Sequence, residues 1–89
     1  MMNEEEIIKQ LKEIIRPYAK NLVALDTINM KTDFINDLKI NSAHLVDVVL
    51  DIEEGFDIEI DNDSMEQMMT VQSTIEVIQK KLAEKKSDR

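Results

Sequence analysis

The stretch NSAHLVDVVLDIEEGF, residues 41–56, decides how this chain folds. Its apolar residues recur at the spacing of one helix face, and that face consists of Leu45, Val48, Val49, Ile52 and Phe56. A stripe of this kind predicts an amphipathic helix that buries one side against a core. Asn41 or Ser42 can cap its start, because a short polar side chain can accept a hydrogen bond from a free amide of the first turn. Gly55 is a weak point near its end.

The outer side of the same helix carries two further strips of residues. The acidic strip consists of Asp47, Asp51 and Glu54, and the apolar strip consists of Ala43, Val46 and Leu50. The apolar strip begins one residue after Ser42, so a serine at the exposed start of a helix lies beside apolar residues and carboxylates. That arrangement suits presentation to a partner protein. The residues alone also allow a plain helix cap at Ser42, and the two interpretations are compatible.

The part of the chain before this helix predicts one more helix and a long loop. Helical spacing of apolar residues, with acids in the first turn, predicts a helix from about residue 3 to residue 18. Pro17 lies where this helix should stop or kink. No sustained period is visible over residues 21–41, which predicts a long ordered loop. Its anchors on the core are expected to be Phe34, Leu38 and Ile40.

The part after the central helix predicts a loop and two helices. Residues 57–64, DIEIDNDS, are polar and irregular, with Ile58 and Ile60 expected to point inward. Behind them we expect a short helix over about Ser64–Met69 and a last helix over about Val71–Leu82. Thr70 is the expected cap of the last helix, and the tail over residues 83–89 is expected to fray. The sequence therefore predicts an all-α, four-helix domain with a long first loop and a short third helix.

Composition limits the classes of function. The chain has 89 residues, which favours one domain, and it has no cysteine for a disulfide or a thiolate metal site. The net charge is −8, and ten acids but no Lys or Arg lie between Lys39 and Lys80. Such a surface repels nucleic acid and anionic membranes and attracts basic protein surfaces. A merely solvated acidic face explains the same charges, so the partner hypothesis needs further support.

Other chemistries are poorly supported by the sequence. Ser42 and His44 are two residues apart in a helix and do not face each other, which disfavours a hydrolytic triad. A calcium loop over residues 57–68 would need Gly and Glu where Asn62 and Met68 stand. No apolar run approaches about 18 residues, and the acidic start MMNEEE lacks the basic region of a signal peptide. We therefore expect a cytoplasmic monomer that neither inserts into membranes nor binds a metal.

The chain resembles the acyl carrier protein family, of the bacterial fatty-acid or polyketide type, along residues 34–78, FINDLKINSAHLVDVVLDIEEGFDIEIDNDSMEQMMTVQSTIEVI. The resemblance rests on the serine-led helix, the EEGFDIEI run and the TVQ at their mutual spacing. It implies a right-handed four-helix bundle with a long first loop, which agrees with the helices read from periodicity.

The resemblance also implies a site. In this family a phosphopantetheinyl transferase attaches phosphopantetheine from coenzyme A to the serine that matches Ser42, and the thiol of the arm carries an acyl group as a thioester. The domain itself catalyses nothing. Its partners are acyl-transferring, condensing and reducing enzymes with basic docking patches. The residues expected to meet these partners are Asn41, Ala43, Val46, Asp47, Leu50, Asp51, Glu53 and Glu54.

Three residues around the serine depart from the family pattern. Asn41 and Ala43 stand where the family has Asp and Leu, and His44 replaces an acid. Asn41 can still cap the helix but cannot form a charge-assisted contact with a basic transferase residue. Two hypotheses are therefore kept. The first is a carrier for fatty-acid or specialised acyl or polyketide synthesis, and the alternative is an unmodified interaction module that docks basic proteins.

Overall fold

The computed structural model describes residues 3–87, and this part of the chain forms five α-helices and no β-strand. The helices are α1 Glu4–Ile15, α2 Leu22–Asp26, α3 Leu45–Phe56, α4 Asn62–Gln67 and α5 Val71–Ser87. A turn of 3-10 helix, Ser42–His44, leads directly into α3. The predicted all-α class is confirmed. The four predicted helices correspond to α1, α3, α4 and α5, and α2 is an additional short helix.

Helix α1 begins with reciprocal capping. The Asn3 side chain accepts a hydrogen bond from the Glu6 amide at 2.9 Å, and the Glu6 carboxylate accepts one from the Asn3 amide at 3.4 Å. Its buried face consists of Ile7, Leu11 and Ile15. The helix ends at Ile15, earlier than the predicted end at Tyr18, because Pro17 has no N–H to continue the hydrogen-bond ladder.

The first loop contains α2, which the sequence did not predict. Asn21 caps this helix by accepting a hydrogen bond from the Ala24 amide at 3.1 Å. The helix is only five residues long, too short for a helical period to be visible. The three predicted anchors of the loop are confirmed as buried, namely Phe34, Leu38 and Ile40.

The end of the first loop is tied to the start of α5. The Phe34 amide donates to the Met69 carbonyl at 3.0 Å, and the Val71 amide donates to the Thr32 carbonyl at 2.9 Å. An isolated antiparallel bridge pairs Asp33 with Thr70 between these two bonds. The loop is therefore held by backbone hydrogen bonds as well as by its buried side chains.

Helix α3 packs closely on α1 through Gly55. The Gln10 side chain donates to the Gly55 carbonyl at 2.6 Å, and a Cβ at Gly55 would lie 2.9 Å from the Cδ1 atom of Ile14. The sequence places the end of α3 near Gly55, and the structure ends it at Phe56. Asp57 closes the helix in the left-handed conformation, with φ of 56°.

The chain after α3 follows the predicted order with shifted boundaries. Ile58 is buried and Ile60 half-buried, as expected. Helix α4 begins and ends two residues earlier than predicted, because the Asp61 side chain caps it by accepting a hydrogen bond from the Ser64 amide. Thr70 caps α5 as predicted, since its hydroxyl accepts from the Ser73 amide at 3.2 Å.

Helix α5 runs past its predicted end at Leu82 and continues to Ser87. Two lysines on its last turns bind the loop between α3 and α4. Lys81 pairs with Asp61 at 2.9 Å, and the Lys85 ammonium donates to the carbonyl of Asp57 at 2.7 Å as well as to its carboxylate. Asp88 and Arg89, the end of the tail expected to fray, lie outside the described residues.

One apolar core joins α1, α3, α5 and the first loop. Its buried residues include Ile7, Leu11, Leu25, Phe34, Leu38, Val48, Ile52, Met68, Ile75 and Ile78. Thr74 is also completely buried, and its hydroxyl has no hydrogen-bond partner among residues 3–87. The core leaves the outer side of α3 facing solvent, which is where the candidate site lies.

Candidate functional site

Ser42 lies in the exposed turn that opens α3. Asn41, rather than Ser42, caps this turn, since the Asn41 carboxamide oxygen accepts a hydrogen bond from the Ala43 amide at 2.9 Å. The Asn41 carbonyl accepts a second bond from the His44 amide at 2.8 Å. No group within residues 3–87 hydrogen-bonds the Ser42 hydroxyl. The turn is thus held by its neighbours while the hydroxyl stays free.

The apolar strip beside Ser42 is exposed as the sequence predicts. Val46 retains 51% and Leu50 54% of their accessible surface, and Ala43 is exposed as well. Large apolar side chains that remain half exposed on one helix face are a common mark of a protein contact surface. The strip and the serine therefore form one continuous outer face of the start of α3.

The four acidic residues predicted to contact partners differ in exposure and in whether their carboxylates are already hydrogen-bonded. Asp47 and Glu54 are exposed and unpaired within the described chain. Glu53 is half-buried, and its carboxylate accepts a hydrogen bond from the Ile60 amide at 2.6 Å. Asp51 is also half-buried and accepts one from the Tyr18 hydroxyl at 2.6 Å. Glu53 and Asp51 thus contribute charge to the surface, while Asp47 and Glu54 can contact a partner freely.

An aromatic contact next to the serine was not predicted from the sequence. The rings of Tyr18 and His44 meet edge to face, with centroids 6.0 Å apart and planes at 81°. The hydrogen bond to Asp51, together with partial desolvation and the charges of Asp51 and Asp47, raises the pKa of Tyr18. This contact links the end of α1 to the turn that carries Ser42.

Several proteins with established names are similar to this chain in sequence. A protein named acyl carrier protein from Lactobacillus acidophilus is 38% identical over 78 residues, which cover 86% of this chain and 94% of the relative. Another of that name, from Guillardia theta, is 35% identical over 82 residues, 92% of this chain and 99% of the relative. This chain belongs to the acyl carrier protein family. No protein-family model matches it.

A third acyl carrier protein, from Coprothermobacter proteolyticus, is 32% identical over 81 residues, 91% of this chain and 96% of the relative. The resemblance stated from the sequence is thereby confirmed. Members of the acyl carrier protein family are carriers in acyl biosynthesis and not enzymes, and this chain is a carrier in the same sense. None of the helices within residues 3–87 is long and apolar enough to cross a membrane.

Proposed function

We propose that this acyl carrier protein bears a phosphopantetheine arm on Ser42 and carries acyl intermediates on it as thioesters. The carrier would serve fatty-acid synthesis or a specialised acyl or polyketide pathway. The observation that supports this most is the Ser42 hydroxyl, which is exposed, free of intramolecular hydrogen bonds and held on a capped turn at the start of α3. A hydroxyl in this position is accessible to a modifying enzyme.

Attachment requires the serine oxygen to act as a nucleophile. The Ser42 Oγ attacks the pantetheine-bearing phosphorus of coenzyme A. An Oγ–P bond forms, the P–O bond from that phosphorus to the bridging oxygen of the pyrophosphate breaks, and the nucleotide leaves as adenosine bisphosphate. No acid or base among residues 3–87 hydrogen-bonds the hydroxyl, so the proton goes to a base on the transferase. The transferase also supplies the metal that neutralises the phosphates. This chain contributes the nucleophile and its position.

The arm, when attached, supplies a terminal thiol that forms the thioester with the acyl group. The remaining residues of the site then serve recognition of the partner enzymes. Asp47 and Glu54 face outward and attract the basic patches of transferring, condensing and reducing enzymes. Val46 and Leu50 offer apolar area that becomes buried when a partner docks. The two strips therefore give attraction and contact area on either side of one helix face.

Intact mass spectrometry after co-expression with a broad-specificity phosphopantetheinyl transferase tests this function. Wild type is expected to gain the mass of one arm, and Ser42→Ala is expected to gain none. Because Asn41 is the cap, the free energy of unfolding of Ser42→Ala should stay within about 0.5 kcal/mol of the wild-type value, as for most surface substitutions. Ser64→Ala is the matched control, since the Ser64 hydroxyl is bonded to Asp61 at 2.8 Å and its loss should not prevent modification.

A Ser42→Ala protein that still gains the arm would contradict Ser42 as the sole attachment site. The alternative function, an unmodified module that only docks basic proteins, rests on Asn41 and Ala43, which replace the residues that usually flank the serine. If wild type gains no mass with any transferase while Asn41→Asp/Ala43→Leu does, the docking module is the correct function.

A further inference from the structure

A polar groove of about 490 Å³ lies between α2 and the part of the first loop that precedes Ser42. Its walls include two lysines, three asparagines and one small apolar residue, namely Lys31, Lys39, Asn21, Asn29, Asn36 and Ala24. The groove is separate from the apolar and acidic strips of α3, because no residue of α3 lines it. Neither attachment at Ser42 nor docking on α3 gives this groove a role.

The groove carries positive charge in a strongly acidic chain. Neither Lys31 nor Lys39 forms an ion pair with any group in residues 3–87. The single carboxylate on its wall belongs to Asp37, and it accepts a hydrogen bond from the Asp33 amide at 2.7 Å. The two ammonium groups are therefore available to an anion from outside the fold.

Lys39 has an unusual backbone conformation three residues before the serine. Its φ is 59°, in the left-handed region that non-glycine residues rarely adopt. The next residue, Ile40, is buried and donates its amide to the Phe34 carbonyl at 3.0 Å, so this conformation is fixed by the core. Lys39 stands three residues before Ser42 and therefore lies within roughly 11 Å of it along the backbone.

We infer that this groove is the resting site of the phosphopantetheine arm, an inference that depends on the proposed attachment at Ser42. Lys39 pairs with the phosphodiester next to Ser42, and the arm continues along the groove past Asn36 and Lys31. The Asn36 carboxamide has no partner within residues 3–87 and can bond the amides of the arm. Ala24 offers apolar contact to the paired methyl groups of the arm.

The expected interaction is weak enough to be reversible. An arm attached to Ser42 meets the groove at a high effective concentration, of the order of mM for a short flexible tether. An exposed ion pair changes an equilibrium by about two- to fivefold. Bound and free arms should therefore coexist, which lets a partner enzyme withdraw the arm on docking.

Nuclear magnetic resonance of the modified protein tests the inference, on a sample whose intact mass shows one arm. Nuclear Overhauser contacts are expected between the paired methyl groups of the arm and the Ala24 methyl. Lys39→Gln and Lys31→Gln should each lower the ratio of bound to free arm by about two- to fivefold. Added salt should act in the same direction. Lys9→Gln is the matched control, because Lys9 is exposed on α1 and does not line the groove.

The outcomes separate this inference from the proposed function. A chain that never gains the arm contradicts attachment at Ser42 and the groove with it. A modified chain whose arm contacts Val46 or Leu50 instead of Ala24, or contacts no residue, contradicts the groove alone. Equal ratios of bound to free arm in Lys39→Gln, Lys31→Gln and Lys9→Gln would show that the lysines do not hold the arm.

Discussion

At the scale of single residues, Asn41 and Ala43 should set how well a generic transferase modifies Ser42. A carboxylate at position 41 restores a charge-assisted hydrogen bond, typically about 1.5–3 kcal/mol, and leucine at position 43 restores up to roughly 1.5–3 kcal/mol of apolar burial. Since only part of this energy is recovered in the transition state, Asn41→Asp/Ala43→Leu should be modified tens to hundreds of times faster than wild type. A modification time course with one enzyme measures this.

The control for that comparison is Asn62→Asp, which adds the same charge at an exposed position at the start of α4. Its rate should stay near that of wild type. Equal rates for wild type and the double variant would mean that neither flanking position governs transferase recognition.

Thr74 offers a second residue-scale prediction, about stability. Its hydroxyl is completely buried and has no partner among residues 3–87, and an unsatisfied buried polar group costs about 1–3 kcal/mol. Thr74→Val keeps the branched shape and removes the hydroxyl, so urea unfolding should show a gain of about 1–2 kcal/mol. Thr70→Val, which removes the cap of α5, should instead lose about 1 kcal/mol. A loss of stability in Thr74→Val would show that its hydroxyl is satisfied.

At the scale of elements, the end of α5 clamps the loop between α3 and α4. Lys85 lowers the pKa of Asp57 and Lys81 lowers the pKa of Asp61, in both cases chiefly through a hydrogen bond to the carboxylate. A carboxyl group whose pKa is lower in the folded state stabilises the fold above its unfolded pKa of about 3.9, and this stabilisation is lost as pH falls through the folded value.

Lys81→Met/Lys85→Met should therefore be less stable than wild type at neutral pH, and the difference should shrink below about pH 4. The measurement is the free energy of unfolding as a function of pH. Lys9→Met/Lys12→Met removes two charges from α1 without touching a described ion pair and is the control. A pH-independent difference in the α5 variant would mean that the clamp acts through packing alone.

Elements with long apolar periods could be predicted from the sequence, and short or geometrically defined features could not. The stripes of α1, α3 and α5 extend over several turns, so their buried faces follow from spacing alone. Helix α2 has five residues and is specified by the Asn21 cap and by contacts with the loop. The cap at Asn41 and the turn at Asp57 depend on backbone angles that several polar residues could adopt equally well.

At the candidate site, too, features set by helical spacing could be predicted and contacts between distant residues could not. The apolar strip of α3 follows from helical spacing and is exposed as expected, whereas Asp51 of the acidic strip is half-buried. The hydrogen bond from Tyr18 to Asp51 joins residues 33 apart in the sequence. No local sequence pattern predicts a contact of that kind. A tyrosine just after Pro17, at the end of the predicted first helix, indicates only that the chain there packs on a neighbouring element.

At the scale of the whole molecule, the uneven charge should control how fast partners associate. Asp47 and Glu54 are the two predicted contacts that remain exposed and unpaired in the described chain. Reversing both to lysine should slow association with a basic partner enzyme and flatten its salt dependence, since the attraction is screened over about 8 Å at physiological salt. Stopped-flow association at several salt concentrations measures this.

Glu4→Lys/Glu5→Lys, which makes the same change of net charge at the start of α1, is the control for that experiment. It should alter association much less than the reversal on α3. If both variants behave alike, only the net charge matters, and the position of the acidic strip on α3 has no part in docking.

The backbone bridge between Asp33 and Thr70 bears on how the chain is made. The first loop needs the carbonyl of Met69 and the amide of Val71 to complete its hydrogen bonds, and both follow α3 in the chain. While a ribosome is still synthesising α3, the segment that presents Ser42 therefore has no finished scaffold. Because closing such distant segments is slow compared with forming a helix, the serine should reach its final environment only after translation has passed the start of α5. A nascent chain would then be a poor substrate, and modification would select completed, folded molecules.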